Sequence, residues 1–90
     1  MREHGLRERA KESFLAEDLD TSLPRVELIG DRRVMIENHR GILEYSDVCM
    51  RVALSGLILR VIGSGLELRR LTLTEMTIAG KICALEYITA

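Results

Sequence analysis

The sequence predicts a small, mainly β single domain of about eight short antiparallel strands, arranged as a sandwich or a roll and preceded by one N-terminal amphipathic helix. Three observations lead to this prediction. Beyond Pro24, apolar and polar residues alternate with a period of two, and the segment is rich in Val, Ile, Leu and Thr, which is typical of half-buried strands. Glycines interrupt this pattern at intervals that suit short strands. Before Pro24, apolar residues instead recur with helical spacing.

Residues 1–22 are predicted to form the helix and a linker, and residues 23–90 the β-rich domain. An isolated helix of this length is marginal in water. We therefore expect it to dock on its own domain or on a partner, or else to remain frayed. Its apolar stripe is formed by Leu6, Ala10, Phe14, Leu15 and Leu19.

Alternation within the β-rich domain defines the individual strands. One of them, Leu57–Ile62, is apolar on both faces, so we expect it to lie centrally in a sheet or to meet another subunit. The predicted strands are Arg25–Leu28, Arg33–Glu37, Gly41–Tyr45, Val48–Leu54, Leu57–Ile62, Leu66–Thr72, Glu75–Ile78 and Lys81–Ile88.

The strongest local signal is the segment IENHRGILEYS, residues 36–46. Its Asn38-His39-Arg40-Gly41 lies between two apolar runs and predicts a short hairpin connection, with Asn38 and Gly41 adopting the unusual backbone angles. The side chains of His39 and Arg40 should then matter little to the turn itself. Further glycines are expected at tight turns or bulges, namely Gly30, Gly56, Gly63 and Gly80.

No arrangement of side chains predicts catalysis, and we expect no enzyme activity and no cofactor. The two histidines, His4 and His39, and the two cysteines, Cys49 and Cys83, lack the spacing of a metal site. The cysteines are better explained as buried, reduced thiols than as a disulfide. A third glycine is missing after Gly63-Ser64-Gly65, which therefore predicts a plain turn rather than a phosphate-binding loop.

Charge and hydropathy narrow the class of protein further. The chain carries 13 basic and 14 acidic side chains, without the basic excess that nucleic-acid binding requires. Its apolar runs are far shorter than the ~20 residues that span a bilayer. The polar N-terminus also lacks the apolar region of a signal peptide. We expect a cytosolic protein with no membrane span.

Between about Leu23 and Ile88 the chain resembles the YabP/YqfC family of bacterial endospore-formation proteins, with a closer likeness to the YqfC branch. The segment from Ile36 to Gly41 is the most specific part of this resemblance. The other matching features are Leu23-Pro24-Arg25, Gly30, Tyr45, Gly56, Gly63, Leu66, Gly80-Lys81-Ile82 and Glu86-Tyr87.

The resemblance implies a non-enzymatic, β-rich protein of sporulating Firmicutes that acts in the mother cell at the developing spore envelope. It implies a YqfD-like membrane protein as partner and a peripheral position at the forespore outer membrane. Two mechanisms remain open, an adaptor that binds this partner and a self-assembling scaffold or homo-oligomer. The family-signature residues are either structural or part of the partner surface; they are Glu37, Asn38, His39, Arg40, Gly41 and Tyr45.

Overall fold

The computed structural model describes residues 23–89 and contains one sheet of six antiparallel strands in the order β1-β2-β6-β5-β4-β3. The predicted N-terminal helix and its linker lie outside the described residues. The β-rich prediction is confirmed for residues 23–89. The strands are β1 (Arg25–Ile29), β2 (Arg33–Glu37), β3 (Gly41–Tyr45), β4 (Cys49–Ala53), β5 (Leu57–Leu71) and β6 (Glu75–Thr89).

The prediction of about eight short strands is wrong, because four of the predicted strands merge into two long ones. Both β5 and β6 are 15 residues long. The predicted turn at Gly63-Ser64-Gly65 lies inside β5, and Gly80 lies inside β6. The pairing of β5 with β6 shifts register between Ile62 and Gly63 and again between Ser64 and Glu67. Such bulges bend a strand without ending it.

These bulges divide the sheet into two halves. In the first half-sheet, β1 pairs with β2, β2 pairs with the start of β6 (75–79), and this part of β6 pairs with the end of β5 (67–71). In the second half-sheet, β3 pairs with β4, β4 pairs with the start of β5 (57–62), and this part of β5 pairs with the end of β6 (84–89). The two long strands are therefore shared, and they lie at the centre of the sheet. This confirms the central position predicted for the strand that is apolar on both faces.

In the second half-sheet, the turn between β3 and β4 secures the bend of β5. Gly63 donates its N–H to the carbonyl oxygen of Val48 at 3.0 Å, and Leu66 donates to that of Asp47 at 2.9 Å. The backbones also approach closely here, because a Cβ added to Gly63 would overlap the carbonyl oxygen of Lys81. Glycine is therefore required by the approach of a neighbouring strand and not by a turn.

The turn between β1 and β2 makes the equivalent contacts with β6. Gly80 donates its N–H to the carbonyl oxygen of Arg32 at 3.0 Å, and Ile82 donates to that of Asp31 at 2.7 Å. The two hairpins, β1–β2 and β3–β4, are thus bound to the two long strands in the same way. This arrangement supplies partners for backbone groups that the bulges leave without a ladder partner.

The two half-sheets share one hydrophobic core. Buried side chains of β2 and β4 and of both long strands belong to a single cluster, and most of them are completely shielded from solvent. A second link joins the halves, since the Tyr45 hydroxyl on β3 accepts the N–H of Leu68 at the end of β5 at 3.3 Å. The core is formed by Val34, Ile36, Met50, Val52, Leu54, Leu59, Val61, Leu66, Met76, Ile78 and Ile82.

The cysteines lie on strands, and both thiols are free. The expectation that both are buried is wrong. Cys83 is exposed because it lies beside Ile82, whose side chain takes the core face, while Cys49 is only half-buried.

Candidate functional site

The signature turn, residues 37–41, carries the chain from the first half-sheet to the second. It leaves β2 at Glu37 and enters the edge strand β3 at Gly41. The predicted hairpin connection is therefore wrong, because β6, β5 and β4 lie between β2 and β3 in the sheet. Asn38 has a φ of 64° and Gly41 a φ of 123°, so the predicted unusual backbone angles are confirmed at both positions. Asparagine and glycine are the residues that tolerate such angles best, which explains their use here.

Asn38 joins the turn to two other parts of the chain. Its backbone N–H donates to the carbonyl oxygen of Thr74 at 2.6 Å, in the connection between β5 and β6. Its side-chain Nδ2 donates to the carbonyl oxygen of Leu23 at 2.9 Å, immediately before β1. One residue therefore fixes the start of the described chain and the β5–β6 turn against the crossing between the half-sheets.

His39 has a structural environment that the turn prediction did not anticipate. The residue is 8% exposed, and both ring nitrogens are hydrogen-bonded. Gly41 donates its N–H to Nδ1 at 3.0 Å, so Nδ1 is an acceptor and the ring proton of the neutral imidazole is on Nε2. Nε2 then donates to the carbonyl oxygen of Thr72 at 2.9 Å. The imidazole thus connects the first residue of β3 to the β5–β6 turn.

The remaining signature side chains divide into exposed and bridging groups. Glu37 is exposed and lies opposite Arg25 in the β1–β2 pair. Arg40 donates its backbone N–H to the carbonyl oxygen of Ala53 at 2.7 Å, while its side chain is exposed and makes no ion pair within residues 23–89. Tyr45 bridges the half-sheets as described above. Of the six signature residues, Arg40 therefore presents the most available charge.

A hollow of about 740 Å³ lies between the signature turn and the β5–β6 turn. Two leucines of this hollow are exposed to solvent. Leu73, at the tip of the β5–β6 turn, is 95% exposed, and Leu71 beside it is 53% exposed. Grouped apolar exposure of this kind marks a contact surface more often than scattered exposed residues do. The lining residues are His39, Arg40, Gly41, Ile42, Leu71, Thr72 and Leu73.

A second, smaller hollow of about 320 Å³ lies over the first half-sheet and has a different character. Half of its lining residues are charged, with Arg25 and Arg70 set among Glu27, Glu37 and Glu75, and most of the others are apolar. Arg70 already pairs with Glu75 at 3.5 Å. This mixed lining suits an apolar ligand less well than the exposed Leu71 and Leu73 of the first hollow. The first hollow is therefore the better candidate for a contact surface.

Other kinds of site find little support in the described part of the chain. Among residues 23–89, no group of three or more His, Cys, Asp or Glu side chains could hold a metal ion. The same residues include no helix long and apolar enough to cross a membrane.

Sequence reasoning identified the signature turn but missed the hollow. Leu73 falls between the predicted strands Leu66–Thr72 and Glu75–Ile78. The only sequence signal for the hollow was this single apolar residue, which lies in a turn between two threonines. The buried, hydrogen-bonded position of His39 could not be predicted from the neighbouring sequence, because its partner Thr72 lies 33 residues further along the chain.

The fold and the site define a small all-β domain whose signature turn locks two half-sheets together beside an exposed apolar hollow. The model of the YabP family matches residues 21–90, and the chain belongs to that family. Family membership indicates a sporulation-related protein. No curated protein and no solved structure matches the chain. The closer likeness to the YqfC branch stays a prediction.

Proposed function

We propose that this protein acts in spore formation by protein–protein contact at the developing spore envelope in the mother cell, without catalysing a reaction. The proposed partner is a YqfD-like membrane protein, which would hold the domain at the cytosolic side of the forespore outer membrane. The family match supports the biological setting. The observation that supports a contact function is the exposed hollow beside the signature turn.

The hollow has the composition of a contact surface. Complete burial of a fully exposed leucine side chain contributes about 1.5–3 kcal/mol, so Leu73, with about half as much from the half-exposed Leu71, can supply part of a micromolar affinity. Arg40 stands at the rim, and its guanidinium group makes no ion pair with any residue from 23 to 89. Arginine is common at interfaces because it binds a carboxylate through two hydrogen bonds. We therefore expect an apolar anchor on the partner, accompanied by an acidic side chain.

Spore formation tests this proposal in the host. Leu73→Asp places a charge on the exposed tip of the hollow, where the parent residue makes almost no packing contact, so the fold should persist. Val48→Asp is the matched control, because Val48 is 53% exposed in the β3–β4 turn, away from the hollow. We expect the count of heat-resistant spores to fall with Leu73→Asp and to stay unchanged with Val48→Asp. Equal counts for the parent and Leu73→Asp would contradict the contact site.

A self-assembling scaffold of the spore coat or envelope is the second candidate. Within the described part of the chain, β1 and β3 end the sheet, and Leu28 and Ile29 on β1 are about half exposed. A short edge strand with exposed apolar residues can pair with another copy. Light scattering of the purified chain separates the candidates, because a scaffold forms large homopolymers whereas an adaptor stays a monomer or a small oligomer.

A further inference from the structure

We propose that strand β1 pairs with β1 of a second copy of this chain and so forms a dimer with one continuous sheet. The pairing goes beyond the proposed function, because it involves neither the hollow nor the membrane partner. Among the described residues, β1 lies at one edge of the sheet and has a neighbouring strand, β2, on one side only.

The two edge strands differ in how open they are to a further strand. The pairing of β3 with β4 shifts register between Ile42 and Glu44, and such a bulge is one of the features that protect a sheet edge. By contrast, β1 pairs with β2 in unbroken register over its full length. Two of its apolar side chains, Leu28 and Ile29, are also about half exposed. The better template for another strand is therefore β1.

Backbone hydrogen bonds on the far side of β2 show how β1 is oriented. Gly80 donates its N–H to the carbonyl oxygen of Arg32, just before β2, and Asn38, just after β2, donates to that of Thr74. Both bonds continue the register of β2 with β6. Because bonded and non-bonded pairs alternate along antiparallel strands, the even-numbered residues of β2 bond to β6. The odd-numbered residues of β2 consequently bond to β1.

This alternation fixes which backbone groups of β1 face outward. The odd-numbered residues of β2 lie opposite Arg25, Glu27 and Ile29, so the backbone groups of these three residues are directed towards β2. Val26 and Leu28 alternate with them and direct their N–H and carbonyl groups away from the sheet. These outward groups are the ones that a second copy can bind.

One antiparallel register of two β1 strands satisfies both the backbone groups and the charges. It places Val26 opposite Val26 of the second copy, so that each N–H donates to the other carbonyl oxygen. The N–H of Leu28 then donates to the carbonyl oxygen of Pro24 in the second copy, a position where the missing N–H of proline is not needed. Arg25 lies opposite Glu27 of the second copy, and the two-fold symmetry repeats this pair. Opposite charges at directly opposed positions stabilise a pair of strands.

Charge disfavours the neighbouring registers. A shift of two residues keeps Val26 and Leu28 as the bonding residues, but it places Glu27 opposite Glu27 in one direction and Arg25 opposite Arg25 in the other. Like charges at directly opposed positions destabilise a pair of strands. A shift of one residue would place outward backbone groups opposite groups that already bond to β2. The edge is therefore self-complementary in a single register.

The resulting dimer is closed. Each copy contributes its only β1, so no free β1 remains and the assembly stops at two copies. A closed dimer differs from the scaffold considered above, which needs contacts that continue from copy to copy. The strand has 5 residues, so we expect a dimer that dissociates on dilution.

Charge reversal in the full-length chain tests the pairing, with sedimentation equilibrium at low salt over a range of protein concentrations as the readout. We expect a monomer–dimer equilibrium for the parent. Arg25→Glu should raise the dissociation constant of the dimer at least about tenfold, because both charge pairs become repulsive. Glu27→Arg should have the same effect. Arg33→Glu is the matched control, because it makes the same change of net charge as Arg25→Glu at an exposed position on β2, and it should leave the equilibrium unchanged.

Two rescue experiments make the test specific to this register. The double variant Arg25→Glu with Glu27→Arg exchanges the two charges, so opposite charges again face each other and the dimer should return. An equimolar mixture of the two single variants should form heterodimers for the same reason. Circular dichroism of each variant confirms that it remains folded.

Four results would overturn the inference. They are a parent protein that stays monomeric at every concentration, an Arg25→Glu variant that dimerises like the parent, a folded double variant that stays monomeric, and assemblies of the parent larger than a dimer. None of these measurements involves the hollow or the membrane partner, so their outcome is independent of the spore-count test of the proposed function.

Discussion

His39 and Thr72 are joined by a hydrogen bond of 2.9 Å between Nε2 and a backbone carbonyl oxygen, although 33 residues separate them in the sequence. The bond connects the crossing between the half-sheets to the turn between the two long strands. It also sets one wall of the hollow, because both residues line it. The same side chain therefore supports the fold and shapes the surface that we propose as a contact site.

Replacing His39 by alanine should lower the free energy of unfolding by about 2 kcal/mol, since two hydrogen bonds of ~1 kcal/mol each are lost at a buried position. His39→Asn can still accept the Gly41 N–H, and His39→Gln can still donate to Thr72. We expect both variants to fall between the parent and His39→Ala. Urea denaturation measures the differences.

Arg40→Ala is the matched control for this series, because the Arg40 side chain is exposed and has no ion pair in residues 23–89. Its free energy of unfolding should stay within about 0.5 kcal/mol of the parent. If His39→Ala were as stable as Arg40→Ala, the structural role of the imidazole would be refuted.

Gly63→Ala should destabilise the protein by about 2 kcal/mol or more, because the new Cβ overlaps the Lys81 carbonyl oxygen and the backbone must move. Gly30→Ala is a useful comparison. Gly30 has a φ of 55°, but a Cβ added there would meet open space. The Gly30→Ala variant should therefore lose only the ~1 kcal/mol that a non-glycine residue costs in the left-handed backbone conformation. Thermal unfolding of both variants should show the larger loss for Gly63→Ala, and the reverse order would contradict the close approach of the strands.

Tyr45→Phe should reduce the free energy of unfolding by about 1 kcal/mol, because it removes the hydroxyl that accepts the Leu68 N–H across the half-sheets. The ring itself is 56% exposed, and its retention in phenylalanine keeps the packing contribution constant. Hydrogen exchange at the Leu68 amide is the most specific readout. Unchanged exchange there would show that the bridge does not protect the end of β5.

The contact between Asp31 and Lys81 predicts a defined pH dependence. A hydrogen bond from Lys81, with Nζ 3.4 Å from the carboxylate, lowers the pKa of Asp31 below its ordinary value of 3.8, and the lysine charge lowers it further. The folded state therefore favours the ionised carboxylate. Its stabilisation is present at neutral pH and is lost as the pH falls below 3.8 through the depressed pKa.

Asp31→Asn should consequently be less stable than the parent at pH 7, by a small amount because the pair is exposed. The difference in melting temperature should shrink as the pH falls below the ordinary value of 3.8. A difference that persists unchanged in acid would assign the effect to something other than the ion pair.

The strands were largely predictable because their signal is local. Period-two alternation located β2 and β3 with the bounds that the structure shows. The extent of the long strands was not predictable, since a glycine that admits a neighbouring strand, as Gly63 does, is indistinguishable in sequence from a glycine in a turn.

The candidate site was predictable only in part for the same reason. Asn38 and Gly41 have backbone angles that their residue types indicate. The burial of His39 depends on Thr72, and the hollow depends on Leu71 and Leu73, all of which come from a distant turn. No pattern within residues 36–46 contains that information.

Binding of the purified chain to a purified YqfD-like partner in detergent tests the central claim most directly. If the hollow is the contact site, Leu73→Asp should raise the dissociation constant at least about tenfold, equivalent to ~1.4 kcal/mol of binding free energy. Val48→Asp should leave the dissociation constant unchanged. Circular dichroism of both variants confirms that each remains folded. A folded Leu73→Asp protein that binds as tightly as the parent would contradict the claim.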